Sequence, residues 1–527
     1  MSAEPQLAPE TDAQATIPGA SSPKADQPNI LLIMADQMAA PFLAAYGAEA
    51  GTSGAHTPNI DRLAAEGVVF ESAYSNSPLC APARFSMMSG QLNTKIGAYD
   101  NASEFASTVP TFAHYLRSAG YQTSLIGKMH FVGADQLHGY EERLTTDIYP
   151  ADFGWTPNWE DEDGRFDWWY HNLDSVLHAG VADASNQLDY DDDVGHHTIR
   201  KLRDLARTAD GRPWMVTASF THPHDPYVAR QQFWDLYDHD AIAMPTVGPL
   251  DEPDPHSERL RHVIAADVTE VTDEQIRNAR HAYLANCSYV DHWIGEVLDT
   301  LDHHDMGDNT VVMFTADHGD MLGERGLWYK MNFFEHAARV PLILRQPGRF
   351  APRRIATHTS LLDVAPTLVE LAGAPIAEDL DGSSLVPLAE SGVEDSDRLV
   401  VGEYLGEGAI APVFMLRRGR LKFVWSEPDP AQLYDVVTDP SELTNLATDP
   451  AWAGSVATFE AELHERWDPA AIRADVVANQ RSRRAVNDAL RKGKFAPWDF
   501  QPTTAASEQY MRNHLDLNEV ESSRRSE

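Results

Sequence analysis

Only two cysteines, Cys80 and Cys287, occur in 527 residues. One pair at most could form, so no disulfide framework holds this chain, and a reducing, cytoplasmic compartment is expected. Long apolar runs are equally scarce: none approaches the ~18–20 residues a membrane-spanning helix needs. Basic residues are outnumbered, 41 Lys and Arg against 80 Asp and Glu, for a net charge of -39. That balance excludes nucleic acid and anionic membranes as partners, since both are bound through a surplus of positive charge. It also means that an anionic substrate must be met by a locally positive pocket. The N-terminal stretch MSAEPQLAPETDAQATIPGASSPKADQ has neither a basic start nor an apolar centre. Residues 1–27 therefore read as a disordered tail rather than a secretory signal.

What is present is ample material for a large core, with 43% hydrophobic residues. Four short apolar runs stand out, each followed at once by a polar cluster. They are Asn29–Ala35 before Asp36-Gln37, Gln122–Gly127 before Lys128-Met129-His130, Trp214–Phe220 before THPHDPY, and Thr310–Ala316 before Asp317-His318-Gly319-Asp320. Helical patterns separate them, at Pro58–Glu66, Pro110–Ala119, Tyr190–Thr208 and Asp273–Leu301. This alternation predicts an α/β fold with a large, mostly parallel central sheet sandwiched by helices. Ligands of such sheets gather beyond the carboxyl ends of the strands, so four polar clusters at four strand ends predict one shared site.

Asp152–Asp193 reads as an irregular, aromatic-rich region, and a loop of that length is usually functional. After about residue 375 the texture changes. RLVVGEYL, APVFMLRRGR and LKFVWSE read as strands of an antiparallel sheet, with SELTNLA starting a helix. The expected organisation is a catalytic domain over 28–379, a smaller C-terminal α+β domain over 380–470, and a helix and tail over 471–527 contacting a neighbouring subunit.

Cys80 lies in SNSPLCAPARFSMMSG, a small, polar, turn-rich stretch, whereas Cys287 sits in a helical pattern as a core thiol. Asp36, Asp317 and His318 offer oxygen and nitrogen ligands at two strand ends, and Gln37 can add a carbonyl oxygen. That set suits one hard divalent cation, Ca²⁺ foremost, with Mn²⁺ or Mg²⁺ also compatible. Lys128, His130 and Lys330 supply positive charge for an anion. His222 and His224 compete as general acid.

Cys80-Ala81-Pro82-Ala83-Arg84 resembles the signature of the sulfatases, a formylglycine-dependent family within the alkaline-phosphatase-like superfamily. The resemblance implies that a formylglycine-generating enzyme oxidises Cys80 to an aldehyde, which hydrates to a geminal diol. One hydroxyl, deprotonated with help from the metal, attacks sulfur and expels the alcohol; collapse of the hemiacetal then releases sulfate. Cys80, once matured, counts among the metal ligands. Arg84 would hold the diol, His130 would take its proton during collapse, and family position favours His222 as the acid.

Many sulfatases carry two adjacent aspartates at the first cluster and Asp-Asn at the second. Asp36-Gln37 and Asp317-His318 depart from that pattern and point to the branch containing choline sulfatases and phosphonate monoester hydrolases. SPLCAPARFSMMSGQ, GKMHFVGADQLHGYEERLTTDIYPADFGWTP, DWWYHNLDS, SFTHPHDPYVARQQFWDLY, HGDMLGERGLWYKMNFFEHAARVPL and the tail run EQYMRNHLDL resemble the choline sulfatases over about residues 28–520. Hydrolysis of choline-O-sulfate to choline and sulfate is what this implies. A quaternary ammonium is recognised by aromatic faces and carboxylates. Trp155, His171, Asn172 and Glu407 are the expected contacts, with Asp516 supplied by a neighbouring subunit of a homo-oligomer, a dimer or a tetramer, and Asp499 as the lesser candidate. The alternatives are a phosphonate monoester or phosphodiester hydrolase, an arylsulfatase, and, without catalysis, a binding protein for a sulfated osmolyte.

Overall fold

The computed structural model describes residues 27–161, 164–165, 172–207, 210–375, 379–503, 516, 518–519 and 522. Eight strands form the central sheet: β1 (Asn29–Asp36), β2 (Val68–Phe70), β3 (Gln122–Gly127), β4 (Glu142–Arg143), β5 (Trp214–Pro223), β6 (Thr310–Ala316), β7 (Leu342–Arg345) and β8 (Arg353–Ile355). Their spatial order is β8-β2-β7-β6-β1-β5-β3-β4. All neighbours are parallel except β7, which runs antiparallel to both β6 and β2. The centre of the sheet is buried on both faces, which is why β1, β5 and β6 read as continuous apolar runs. Helices surround it; α2 (Asn186–Arg207) and α3 (Asp273–His303) both pack on β5.

The expected mostly parallel sheet is present, and two of its four diagnostic strands have the expected limits. β5 continues three residues past Phe220: after a register shift Pro223 still lies opposite Asp36, while the Thr221 and His222 amides donate to the Asp191 carboxylate. Register brings the strand ends together: Ala35 lies opposite Ala316, Asp36 opposite Pro223, and Gly127 opposite Ser219. Gly127 has φ +99°, and a Cβ there would stand 2.0 Å from the Ser219 carbonyl oxygen. Only glycine lets the chain pass into Lys128 at that point.

A second, antiparallel sheet follows, with β9 (Val400–Tyr404), β10 (Val413–Arg418), β11 (Leu421–Trp425) and β12 (Gln432–Asp435) in sequential order. Strand alternation divides its side chains. Phe414, Leu416, Phe423 and Leu433 meet Phe459 and Leu463 of a helix, Ala453–Arg466, in a separate small core, whereas Val413 and Met415 join the main one. SELTNLA does not begin that helix: Asn445 accepts from the Ala447 amide and caps only a 3₁₀ turn. The irregular region also ends sooner than expected, since α2 starts at Asn186. Among the described residues no helix is long and apolar enough to cross a membrane.

Candidate active site

Cys80 opens a ten-residue helix, α1 (Cys80–Ser89), buried along its whole length. Pro82 is tolerated because it lies in the first turn, where backbone amides have no intrahelical acceptor. Positions i and i+4 share a helix face, so the spacing of the pentapeptide sets Arg84 beside Cys80.

Arg84 is the hub of the site. Its Nε donates to Asp317 Oδ2 at 2.8 Å, Nη2 to Asp36 Oδ2 at 2.8 Å, and Nη1 to the Lys128 carbonyl at 2.6 Å and Ser219 Oγ at 2.8 Å. Residues from four strand ends are thereby joined by one planar fork, which a lysine could not imitate. Lys128 Nζ lies 2.5 Å from Asp36 Oδ2 and 4.2 Å from the centre of the Tyr149 ring. Burial would raise the Asp36 carboxyl, but Lys128, His224 and Arg84 hold it well below the usual carboxylate range.

Cys80 Sγ stands 3.2 Å from His318 Nε2 and 3.8 Å from Asp36 Oδ1. Ligand atoms of Asp36, Cys80, Asp317 and His318 all lie within 4.8 Å of one another, every residue buried. Two buried carboxylates, an imidazole and a small polar side chain fit a hard divalent cation. His318 Nδ1 faces the Gly319 carbonyl at 3.0 Å, which fixes its proton there and leaves the Nε2 lone pair toward the cluster. Burial, aided by Lys330, lowers this imidazole to about 4 and keeps it neutral. Burial and then Asp36 push the Cys80 thiol up to about 12, so unmodified it is a poor nucleophile.

Gln37, expected as an oxygen ligand, engages both ends of its amide elsewhere. Its Oε1 accepts from Lys330 Nζ at 2.6 Å and its Nε2 donates to Asp320 Oδ2 at 2.6 Å. Its backbone amide donates to Asp317 Oδ1 at 3.1 Å.

The two histidines of THPHDPY separate. His222 Nδ1 lies 2.7 Å from Asp191 Oδ2, and its ring packs edge-on against Tyr289, so its contacts are with α2 and α3. His224 stands at the cluster instead: Lys330 Nζ is 2.8 Å and Asp36 Oδ1 3.9 Å from its Nε2. His222, the preferred candidate, thus contacts Asp191 and Tyr289, whereas His224 is the one in contact with Lys330 and Asp36. Burial, then Lys330, lowers the His224 imidazole well below its ordinary range.

His130 is at the site too, at φ +59°, held by Asp147 Oδ2, which accepts from the Met129 and His130 amides at 3.1 and 2.9 Å. Burial and Lys128 lower its ring to about 3. His130, Tyr149 and Trp155 form an aromatic wall, with ring centres 5.1, 5.7 and 5.3 Å apart pairwise. Asn172 reaches the neighbourhood through its carbonyl, which accepts from the Tyr329 hydroxyl at 2.5 Å. Glu407 is buried; that burial, with Asp100 adding, raises its carboxyl to about 7, while Lys330 acts in the opposite sense.

His171 lies outside the described residues. Asp516 is exposed and accepts from the Asn518 and Glu519 amides. Asp499 is anchored on its own chain, accepting from the Ala151 amide at 3.1 Å. Sequence reasoning missed Tyr149, Ser219, Asp147, Asp191 and Asp320. Asp320 was legible, as the second acid of Asp317-His318-Gly319-Asp320; the others carry no local signal.

The profile of the sulfatase family matches residues 28–374. The chain belongs to the sulfatase family. It is a sulfuric ester hydrolase. The C-terminal profile of N-sulphoglucosamine sulphohydrolase matches residues 323–468, and that of the choline sulfatase C terminus matches 474–525. The choline-sulfatase of Rhizobium meliloti (strain 1021) is 51% identical over 510 residues, 95% of this chain and 98% of that protein. An arylsulfatase of Clostridium perfringens is 28% identical, covering 78% of this chain and 90% of its own. Among solved structures, the phosphonate monoester hydrolase of Agrobacterium radiobacter superposes with a TM-score of 0.66 at 23% identity, covering 85% of this chain and 96% of its own. That likeness speaks for the fold alone.

Proposed function

We propose that this sulfatase hydrolyses choline-O-sulfate to choline and inorganic sulfate. The substrate carries a sulfate and a quaternary ammonium, and the observation that carries the reading is a matching pair of environments. Arg84, Lys128 and Lys330 gather at the strand ends, and beside them stand the Trp155–Tyr149–His130 wall and the buried Glu407 within electrostatic reach of Lys330. The 51% identity to a choline-sulfatase along 95% of the chain supports the same substrate.

Cys80 is the residue we propose is matured to formylglycine, by a separate generating enzyme; the hydrated aldehyde would supply the nucleophile and a self-releasing covalent adduct. Asp36, Asp317, His318 and position 80 would hold one divalent cation, Ca²⁺ foremost, with the Gln37 backbone amide orienting Asp317; such an ion would lower the pKa of the nucleophile and polarise a sulfate oxygen. Arg84 keeps the two carboxylates and the Lys128 carbonyl in register. Lys128 and Lys330 bind non-bridging sulfate oxygens, and His130 accepts a proton at the attacking side. His224 delivers a proton through Nε2 to the departing choline oxygen, an alkoxide too basic to leave unassisted.

Trp155 and Tyr149 present ring faces to the trimethylammonium group, Glu407 supplies the opposing charge, and His171 and Asn172 complete the pocket. Asp516, from a neighbouring subunit of a homo-oligomer, belongs to the same proposal, as does a cytoplasmic setting; the choline sulfatase C-terminal match over the tail supports the first, and two free, buried cysteines support the second. The test is sulfate release from choline-O-sulfate, run beside hydrolysis of a phosphonate monoester and of an aryl sulfate lacking an ammonium group, with intact mass of the peptide around Cys80. Preferred turnover of the choline ester with formylglycine mass at position 80 is expected. Preferred turnover of the phosphonate, or full activity with an unmodified thiol, would remove the proposal.

A further inference from the structure

Asp225 is a wholly buried carboxylate that the chemistry above does not use. It follows His224 directly and touches it twice. Its backbone carbonyl lies 2.7 Å from His224 Nδ1, and its Oδ1 lies 3.1 Å from the same nitrogen. A carbonyl can only accept, so Nδ1 carries a proton there, and Nε2 is left facing Lys330.

The carboxylate is itself held. Ser175 Oγ donates to Asp225 Oδ2 at 3.0 Å, and Gln187 Nε2 donates to the Asp225 carbonyl at 2.8 Å. Ser175 lies on the short helix Asp174–Leu177. The same segment is tied to the other side of the site, because the Asn172 carbonyl accepts from the hydroxyl of Tyr329, the neighbour of Lys330. Asn172–Ser175 therefore braces both members of the His224–Lys330 pair.

We propose that Asp225, backed by Ser175, is the positioning residue for His224, fixing its proton on Nδ1 and aiming Nε2 at the leaving oxygen. The inference rests on the reading of His224 as the acid. When His224 gives the Nε2 proton to the alkoxide, the ring returns to neutral and the carboxylate keeps its charge; no other bond changes. An ionised neighbour favours the imidazolium that precedes this transfer, against burial and Lys330, which oppose it. Burial raises the Asp225 carboxyl to about 7, while Lys330, the Ser175 hydroxyl and Lys128 favour its ionised form and Asp320 opposes it. The competing role is purely architectural: holding the turn into Pro226 and Tyr227.

The two roles differ in their dependence on leaving group. An activated aryl sulfate departs without a proton, whereas choline does not. The test measures kcat and KM of full-length Asp225→Asn, Ser175→Ala and His224→Ala enzymes on choline-O-sulfate and on 4-nitrophenyl sulfate. Asp225→Asn is expected to lower kcat on the choline ester about 10²-fold and on the aryl ester less than about threefold, as His224→Ala does, with KM little changed. Ser175→Ala should move the ratio the same way by a few-fold. Equal loss on both esters in Asp225→Asn, or parental rates, would overturn the proposal. Should Asp225→Asn fail to fold, an unchanged ratio in Ser175→Ala overturns it instead. A missing contrast in His224→Ala would show that the acid assignment itself is at fault, independently of Asp225.

Discussion

Arg84 gives the sharpest test of how the site is built. Replacing it by methionine keeps an unbranched apolar stem, though a shorter one, and removes the fork that joins Asp36, Asp317, Lys128 and Ser219. Breaking one buried ion pair by deleting a partner costs about 3–5 kcal/mol, because the other charge is left in a dry interior. Two pairs are broken here, but the losses do not double. Asp36 keeps Lys128 at 2.5 Å, and Asp317 keeps the amides of Gln37 and His318 at 3.1 and 2.9 Å. We therefore expect a total near about 3–5 kcal/mol. The assay is the rate of unfolding at fixed denaturant, followed by tryptophan fluorescence in metal-free buffer. A loss of that size predicts unfolding about 10²–10⁴ times faster, given that a contact so dependent on long-range assembly is already lost in the transition state for unfolding. Divalent cation should restore more of the lost stability in Arg84→Met than in the parent, since it replaces the missing positive charge between the carboxylates. An unfolding rate within about twofold of the parent would refute the claim that two charged carboxylates are held together by this guanidinium.

Cys80→Ala should abolish sulfate release while calorimetry still detects binding of choline-O-sulfate; normal turnover would exclude position 80 as nucleophile. Glu407→Gln should raise KM for choline-O-sulfate about tenfold and spare aryl sulfates lacking an ammonium group, a contrast read from paired Michaelis curves. The same carboxyl gives a pH dependence. Its pKa is raised to about 7 by burial, so it is charged above that value and neutral below. KM for choline-O-sulfate, whose ammonium faces this carboxyl in the proposed pocket, should therefore rise as pH falls from 8 to 6, and the Glu407→Gln enzyme should lack this rise. Chelation should stop turnover by the parent enzyme, and Ca²⁺, Mn²⁺ or Mg²⁺ added back should restore it to different extents; undiminished activity after exhaustive chelation would remove the metal from the site.

Much of the site was readable before folding because its parts obey local rules. A buried parallel strand must be apolar and must end somewhere, so NILLIMA, QTSLIG, WMVTASF and TVVMFTA announced themselves, and the polar residues after them had one place to meet. Cys80 and Arg84 were legible as a family signature, although the helix that sets them on one face was not. Composition fixed the absence of a disulfide framework and the need for a local cluster of cations.

Tertiary structure alone placed His224, rather than His222, against Lys330 and Asp36. The regular pleat ends there, and which side chain turns inward depends on Asp191 and Tyr289, contributed by two distant helices that capture the first ring. It alone also brought Tyr149 over Lys128, Asp147 under the positive-φ backbone of His130, and Ser175 behind Asp225. Gln37 illustrates the same limit: its place beside Asp36 was fixed by the chain, but its partners Lys330 and Asp320 lie more than 280 residues away. Long-range pairing of this kind follows from packing the whole sheet and its helices, and no short stretch of sequence contains it.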